Sequence, residues 1–190
     1  MYPEIAIREP IANALVHQDF NETGNSVSIE IYSDRVEISN PGKPVITPDR
    51  FIDDYKSRNE SLADVLRRMG ICEELGSGID KVIESSEVYQ LPALDIRVSE
   101  TRTIILLFAH KEFSDMTKAD RIRACYQHCC LRYVTQNKMT NQSLRERFNL
   151  KVRSIETISR LLRETAEKGY IKLDDSSASK KYANYLPFWA

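Results

Sequence analysis

Long apolar runs are missing from this chain of 190 residues. Nothing in it approaches the roughly 20 consecutive apolar residues that a membrane-crossing helix needs. Its start, Met1-Tyr2-Pro3-Glu4, does not combine a basic region with an apolar core, so no secretory signal is expected. Cysteine is scarce. Cys72, Cys125, Cys129 and Cys130 are too few and too unevenly placed for a disulfide framework, which makes a reducing cytoplasm the expected compartment. No Gly-x-x-x-x-Gly-Lys-Ser/Thr loop occurs, which excludes a P-loop helicase. Internal repeats and low-complexity tracts are also lacking. What remains, 42% hydrophobic and 29% charged residues, is the composition of a globular protein.

A net charge of −1 conceals two opposed halves. Residues 1–110 hold 11 Lys and Arg against 19 Asp and Glu, a net of −8. Residues 111–190 hold 16 against 9, a net of +7. An acidic half followed by a basic one implies two domains with different partners, the basic one suited to nucleic acid. Solvated surface charge could give the same totals by chance.

The first half opens on a helix in which Ile7, Ile11 and Leu15 recur every four residues as an apolar stripe. Glu9 and Asn13, also four apart, share another face. A carboxylate and a carboxamide one turn apart can hold a divalent metal, or a water, against a phosphate. Mg²⁺ keeps several waters, so one or two side chains suffice. The plainer alternative is an amphipathic helix with a polar edge. Pro10 should kink this helix. Ser26 to Tyr32 alternates as a half-buried strand with Val27, Ile29 and Ile31 on one face, and Val36 to Ser39 returns as its hairpin partner. Asn40-Pro41-Gly42 ends that strand. Lys43 to Ser57 reads as a loop. Asn59 can cap a helix with Leu62, Val65, Leu66 and Met69 inward, and Gly76-Ser77-Gly78 opens another. Residues 96–98 and 103–108 are β-rich and complete the sheet.

After a linker over 111–116, three helices are expected. The first carries Ile122, Tyr126, Cys129, Cys130 and Tyr133. The second spans Asn141 to Phe148. The third runs from Val152 to Lys168 with Ile155, Ile158, Leu162 and Thr165 inward. Two short strands, Tyr170 to Leu173 and Tyr182 to Leu186, follow. Cys125, His128 and Cys129 share a helical face, but no second ligand pair stands at zinc spacing, so small core residues are the favoured reading. His17 and Asp19 invite a catalytic-pair reading; a structural role at the helix end is favoured.

Arg8-Glu9, Asn13-Ala14-x-x-His17-x-Asp19, Asn40-Pro41-Gly42, Ser57-Arg58-Asn59 and Glu74-x-Gly76-Ser77-Gly78-Ile79 follow one another in order. That series resembles the nucleotide-binding boxes of the GHKL ATPases. More closely, it resembles the shortened GHKL-like domain of bacterial transcriptional regulators that are labelled RecG-like and helicase-related. The resemblance implies an α+β fold: a truncated GHKL-like α/β sandwich with a mainly antiparallel sheet over residues 1–110, incomplete at its N-terminus. Residues 117–190 are similar to a winged helix-turn-helix domain. An upstream AlbA-type domain is further implied, as is a mobile lid at the loop after Gly42. A homodimer is left open.

The resemblance also assigns roles. Glu9 is the general base, and Asn13 holds Mg²⁺. Asn40 stands where GHKL proteins carry the Asp that binds the adenine amino group, and it is neutral. Gly42 would let the base come close to the backbone. Gly76, Ser77 and Gly78 would offer amides to phosphates at a helix N-terminus, with Lys43 and Arg58 neutralising charge. ATP and Mg²⁺ are the expected cofactors. In the basic half, Arg153, Ser154 and Thr157 lie where a recognition helix meets base edges, and Arg153 and Arg160 supply charge for phosphates or guanine. Lys151 joins them for phosphate, and Lys180 and Lys181 sit on the wing. The implied function is a DNA-binding transcriptional regulator that senses a nucleotide. The alternatives are an ATP-hydrolysing enzyme of DNA processing, with a weak ATPase at Glu9, and a non-catalytic interaction module.

Overall fold

The computed structural model describes residues 2–71, 76, 78–174 and 183–190. It forms two compact units, Met1–Tyr89 with Leu94–Ala109, and Gln90–Ala93 with His110–Ala190. The fold is α+β with an antiparallel sheet.

Unit one carries α1 (Glu4–His17), β1 (Ser28–Ile31), β2 (Arg35–Pro41), α2 (Glu60–Arg68), α3 (Gly78–Val88), β3 (Asp95–Val98) and β4 (Arg102–Phe108). The sheet order is β1-β2-β4-β3, antiparallel throughout. Ile38 stands opposite Ile105, and Val36 opposite Leu107, so these two pairs form an apolar patch on one sheet face. Alternation of side chains along each strand puts these residues on the same side.

Three local expectations are corrected. α1 does not bury the Ile7, Ile11 and Leu15 stripe. Ala6, Glu9, Pro10, Ala12, Ala14 and Val16 are buried instead, and the three larger residues are half-buried. The helix packs against α3, α2 and β2 at once, so more than one stripe is covered, and small side chains permit that close approach. The helix continues through Pro10. On α2, Ala63 and Leu66 face inward, whereas Val65 and Met69 are exposed. On β1, Ile29 and Ile31 are exposed, Ile31 at 80%. β1 is an edge strand, and an edge strand has a neighbour on one side only.

Asn59 stands at the start of α2 but makes no side-chain cap there. Its Nδ2 donates instead to the carbonyls of Val16 and Gln18, each at 2.8 Å. These are terminal carbonyls of α1, which lack partners within their own helix.

Unit two holds α4 (Lys118–Val134), α5 (Asn141–Arg147), α6 (Ile155–Glu167), β5 (Ile171–Leu173) and β6 (Tyr185–Pro187). Thr117 with Asp120, and Thr140 with Ser143, form reciprocal capping boxes that start α4 and α5. The core joins Ile122, Cys125, Cys129, Leu144, Ile158 and Leu162. The expected third helix is split: a single 3₁₀ turn over Val152–Ser154 precedes α6. Ile155 is exposed rather than inward, and Leu161 takes the core position. Cys125, Cys129 and Cys130 are buried, and burial pushes the pKa of the Cys125 thiol up to about 12. Among the described residues no group of His, Cys, Asp or Glu is placed to hold a metal.

Asn59→Ala should cost about 1–2 kcal/mol, because two helix-end carbonyls lose a donor in a partly buried place. A urea midpoint unchanged from the parent would contradict this.

Candidate functional site

A cavity in unit one is lined by α1, α2, α3, the sheet and the loop between β2 and α2. The sheet supplies Asn40, Thr103 and Ile105. Asn40 and Thr103 are cross-strand partners, so they share a face. The loop supplies Pro44, Val45, Ile46, Phe51, Asp54, Tyr55 and Lys56, an apolar and aromatic cover with one acidic and one basic side chain.

The helices meet at one glycine. A β-carbon at Gly78, the first residue of α3, would lie 2.8 Å from Glu9 Oε2 and 3.7 Å from Asn13 Nδ2. Only a residue without a side chain lets the start of α3 come this near to α1. Glu9 is 1% exposed. Its Oε1 accepts from Arg8 Nη2 at 3.3 Å and Nε at 3.4 Å. Gly76 and Gly78 both line the cavity, and Gly76 lies against the Tyr55 side chain. Glu9, Asn13, Asn40, Gly76 and Gly78 are thus brought together. Ser77 lies outside the described residues.

Gly42 is not brought to the cavity. With φ at +95°, it favours glycine, and a β-carbon there would stand 2.7 Å from Asp19 Cβ. The close approach serves the chain itself. Pro41 O accepts from Asp19 N at 2.9 Å, Gly42 N donates to Thr101 O at 2.7 Å, and Thr103 Oγ1 donates to Gly42 O at 2.8 Å. Arg58 joins the same node. Its guanidinium pairs with Asp19 Oδ2 and donates to Lys43 O. The cations that line the cavity are Lys56 and Arg67, not Lys43 and Arg58. Sequence reading missed Arg67, although Ala63 and Arg67 are four apart and share one face of α2.

Asp19 accepts from Asn21 N, and this bond, with Arg58 and Asn21 Nδ2, holds its carboxyl below the usual range. His17 lines the cavity, and burial, then Arg58, pushes its pKa down. Asn40 Nδ2 donates to Pro41 O at 3.0 Å, an orientation that leaves Oδ1 as the atom able to accept from a ligand.

On unit two, Lys151, Arg153, Thr157 and Arg160 are exposed and Ser154 is half-buried, all along the 3₁₀ turn and the first turns of α6. Asn141 Nδ2, at the start of α5, donates to Ile155 O and Ser159 Oγ, each at 3.0 Å, and so fixes how the two helices meet. Lys180 and Lys181 lie outside the described residues.

Asp80, in the first turn of α3, has its pKa raised to about 6, first by burial and then by the Asp53 and Glu84 charges. Its Oδ1 is buried without a hydrogen-bond partner among the described residues. The folded state therefore favours the protonated form. That contribution is present below pH 4 and is lost as pH rises through about 6. Asp80→Asn should raise Tm at pH 7 and leave it unchanged at pH 3.5, as scanning calorimetry at the two pH values would show.

Residues 24–107 match the family model described as "Putative ATP-dependent DNA helicase recG C-terminal". α1, with Glu9 and Asn13, precedes the matched segment. Among curated proteins none matches. Among solved structures, the chain is similar to the DIP2311 protein from Corynebacterium diphtheriae, at 18% identity and a TM-score of 0.54. That likeness covers 98% of this chain and 40% of the other, and it is a likeness of fold. Residues 24–107, less than half of the chain, are therefore similar to the ATPase-like domain that carries the recG C-terminal description.

Proposed function

We propose that this chain is a DNA-binding transcriptional regulator whose first unit binds ATP. The observation that carries the nucleotide half is the meeting of Glu9, Asn13 and Gly78 in one cavity. Amides at the start of an 11-residue helix suit phosphate. The Asn13 amide oxygen suits Mg²⁺, which needs few protein ligands when it shares phosphates. The apolar cover from Val45, Ile46 and Phe51 suits a base. Asn40 Oδ1 would accept from the adenine amino group. Mg²⁺, when bound, would neutralise phosphate charge. Sensing needs no hydrolysis, only unequal ATP affinity of two states.

The DNA half is supported by the +7 charge of residues 111–190 and by the exposure of Lys151, Arg153, Thr157 and Arg160. Three helices followed by a two-stranded sheet is the element order of a winged helix-turn-helix. In that reading α6 enters the major groove. The RecG label in the family description suits a protein that works on DNA, but α3 and its glycines are no P-loop.

Millimolar ATP with Mg²⁺ should raise Tm, since a ligand held only by the folded state stabilises it. Gly78→Ala and Asn13→Ala should each remove the shift, because the first drives a methyl group onto Glu9. An equal shift in parent and both variants would show that the nucleotide sits elsewhere. For DNA, Arg153→Ala with Arg160→Ala should lower the salt slope of duplex binding by about 2, close to 0.9 per lost phosphate contact. A slope that stays the same would remove these residues from the interface.

A further inference from the structure

The basic end of unit two also presents apolar groups. Val152 is 68% exposed and Ile155 is 44% exposed. They are three residues apart across the 3₁₀ turn and the start of α6, so they lie on neighbouring positions of one surface. The inner face of α6 is already complete with Ile158, Leu161, Leu162 and Thr165, so neither residue is needed to fill the core. Both are β-branched, with few rotamers to lose on contact. Ile155 is also held from behind, because its carbonyl accepts from Asn141 Nδ2.

The surroundings decide what such a patch fits. Lys151, Arg153, Arg160 and Arg163 are exposed along the same stretch, with Glu156 as the acidic neighbour. An apolar protein surface gains nothing from that cationic frame, whereas a duplex does. The major groove offers one apolar feature amid its anionic backbones, the C5-methyl group of thymine.

We propose that Val152 and Ile155 read thymine methyl groups, and so set the sequence preference of the protein. The proposal rests on the DNA-binding reading given above. Arginines to either side supply the affinity, and the two apolar side chains supply a choice among base pairs. Contact with one methyl group removes about one carbon from water and is worth roughly a fourfold change in affinity.

The test uses the full chain and a pool of randomised duplexes. Selection by the parent should enrich thymine at fixed positions. Replacing those thymines by uracil, which removes the methyl groups and alters no protein atom, should weaken parent binding roughly fourfold per position. Ile155→Ser and Val152→Ser should retain the parent's salt slope, lose the thymine preference, and bind thymine and uracil duplexes equally. Salt-dependent binding with no thymine preference would overturn this proposal and leave DNA binding standing. Equal loss on uracil substitution in parent and variants would also overturn it. A parent that binds no duplex at low salt would overturn both readings. A monomer–dimer equilibrium abolished by Ile155→Ser, with duplex selection unchanged, would assign the patch to a second copy instead.

Discussion

The approach of α3 to α1 is the constraint on which the first unit depends. A carboxylate at 1% exposure is costly unless partners replace its water. Glu9 has Arg8 against one oxygen and the start of α3 against the other. That geometry closes only because residue 78 is glycine and because the α1 positions facing inward include Ala6, Ala12 and Ala14. The same compactness places Asn13 and His17 on the cavity wall. Packing and site therefore share their residues, and a change that relaxes the one alters the other.

A second node holds the opposite end of α1. Asp19 lies against Gly42, Arg58 spans from Asp19 to the Lys43 carbonyl, and Asn59 closes the last carbonyls of the helix. Three motif residues, Asp19, Arg58 and Asn59, thus act on backbone and on one another. They anchor both ends of the loop 43–57, whose middle carries Val45, Ile46, Phe51 and Tyr55 over the cavity.

Unit two divides its labour more simply. Apolar and thiol side chains of α4, α5 and α6 fill the interior, and two capping boxes fix where α4 and α5 begin. Buried thiols with raised pKa are packing groups, since the reactive form is the thiolate. Arg147 is the buried cation of α5, whereas Lys151, Arg153, Arg160 and Arg163 are exposed, where side-chain length lets cations reach outward.

Much of this was legible in the residue order. Strand positions in β2, β3 and β4 and the core of α3 at Ile79, Val82 and Ile83 follow from local pattern, because alternation and helical spacing report which face is apolar, and the likeness of residues 24–107 to an ATPase-like domain was visible in the order of short motifs. Pattern does not report how many faces a neighbour covers. α1 therefore buries alanines and a glutamate instead of its isoleucines, and β1 leaves Ile31 in the open at a sheet edge. The sequence by itself determined which segments are helix or strand and that Glu9 and Asn13 share a turn. Tertiary structure alone decided that Gly78 meets them, that Gly42 serves Asp19, and that Arg67 rather than Arg58 reaches the cavity, since each is a contact between residues far apart in the chain.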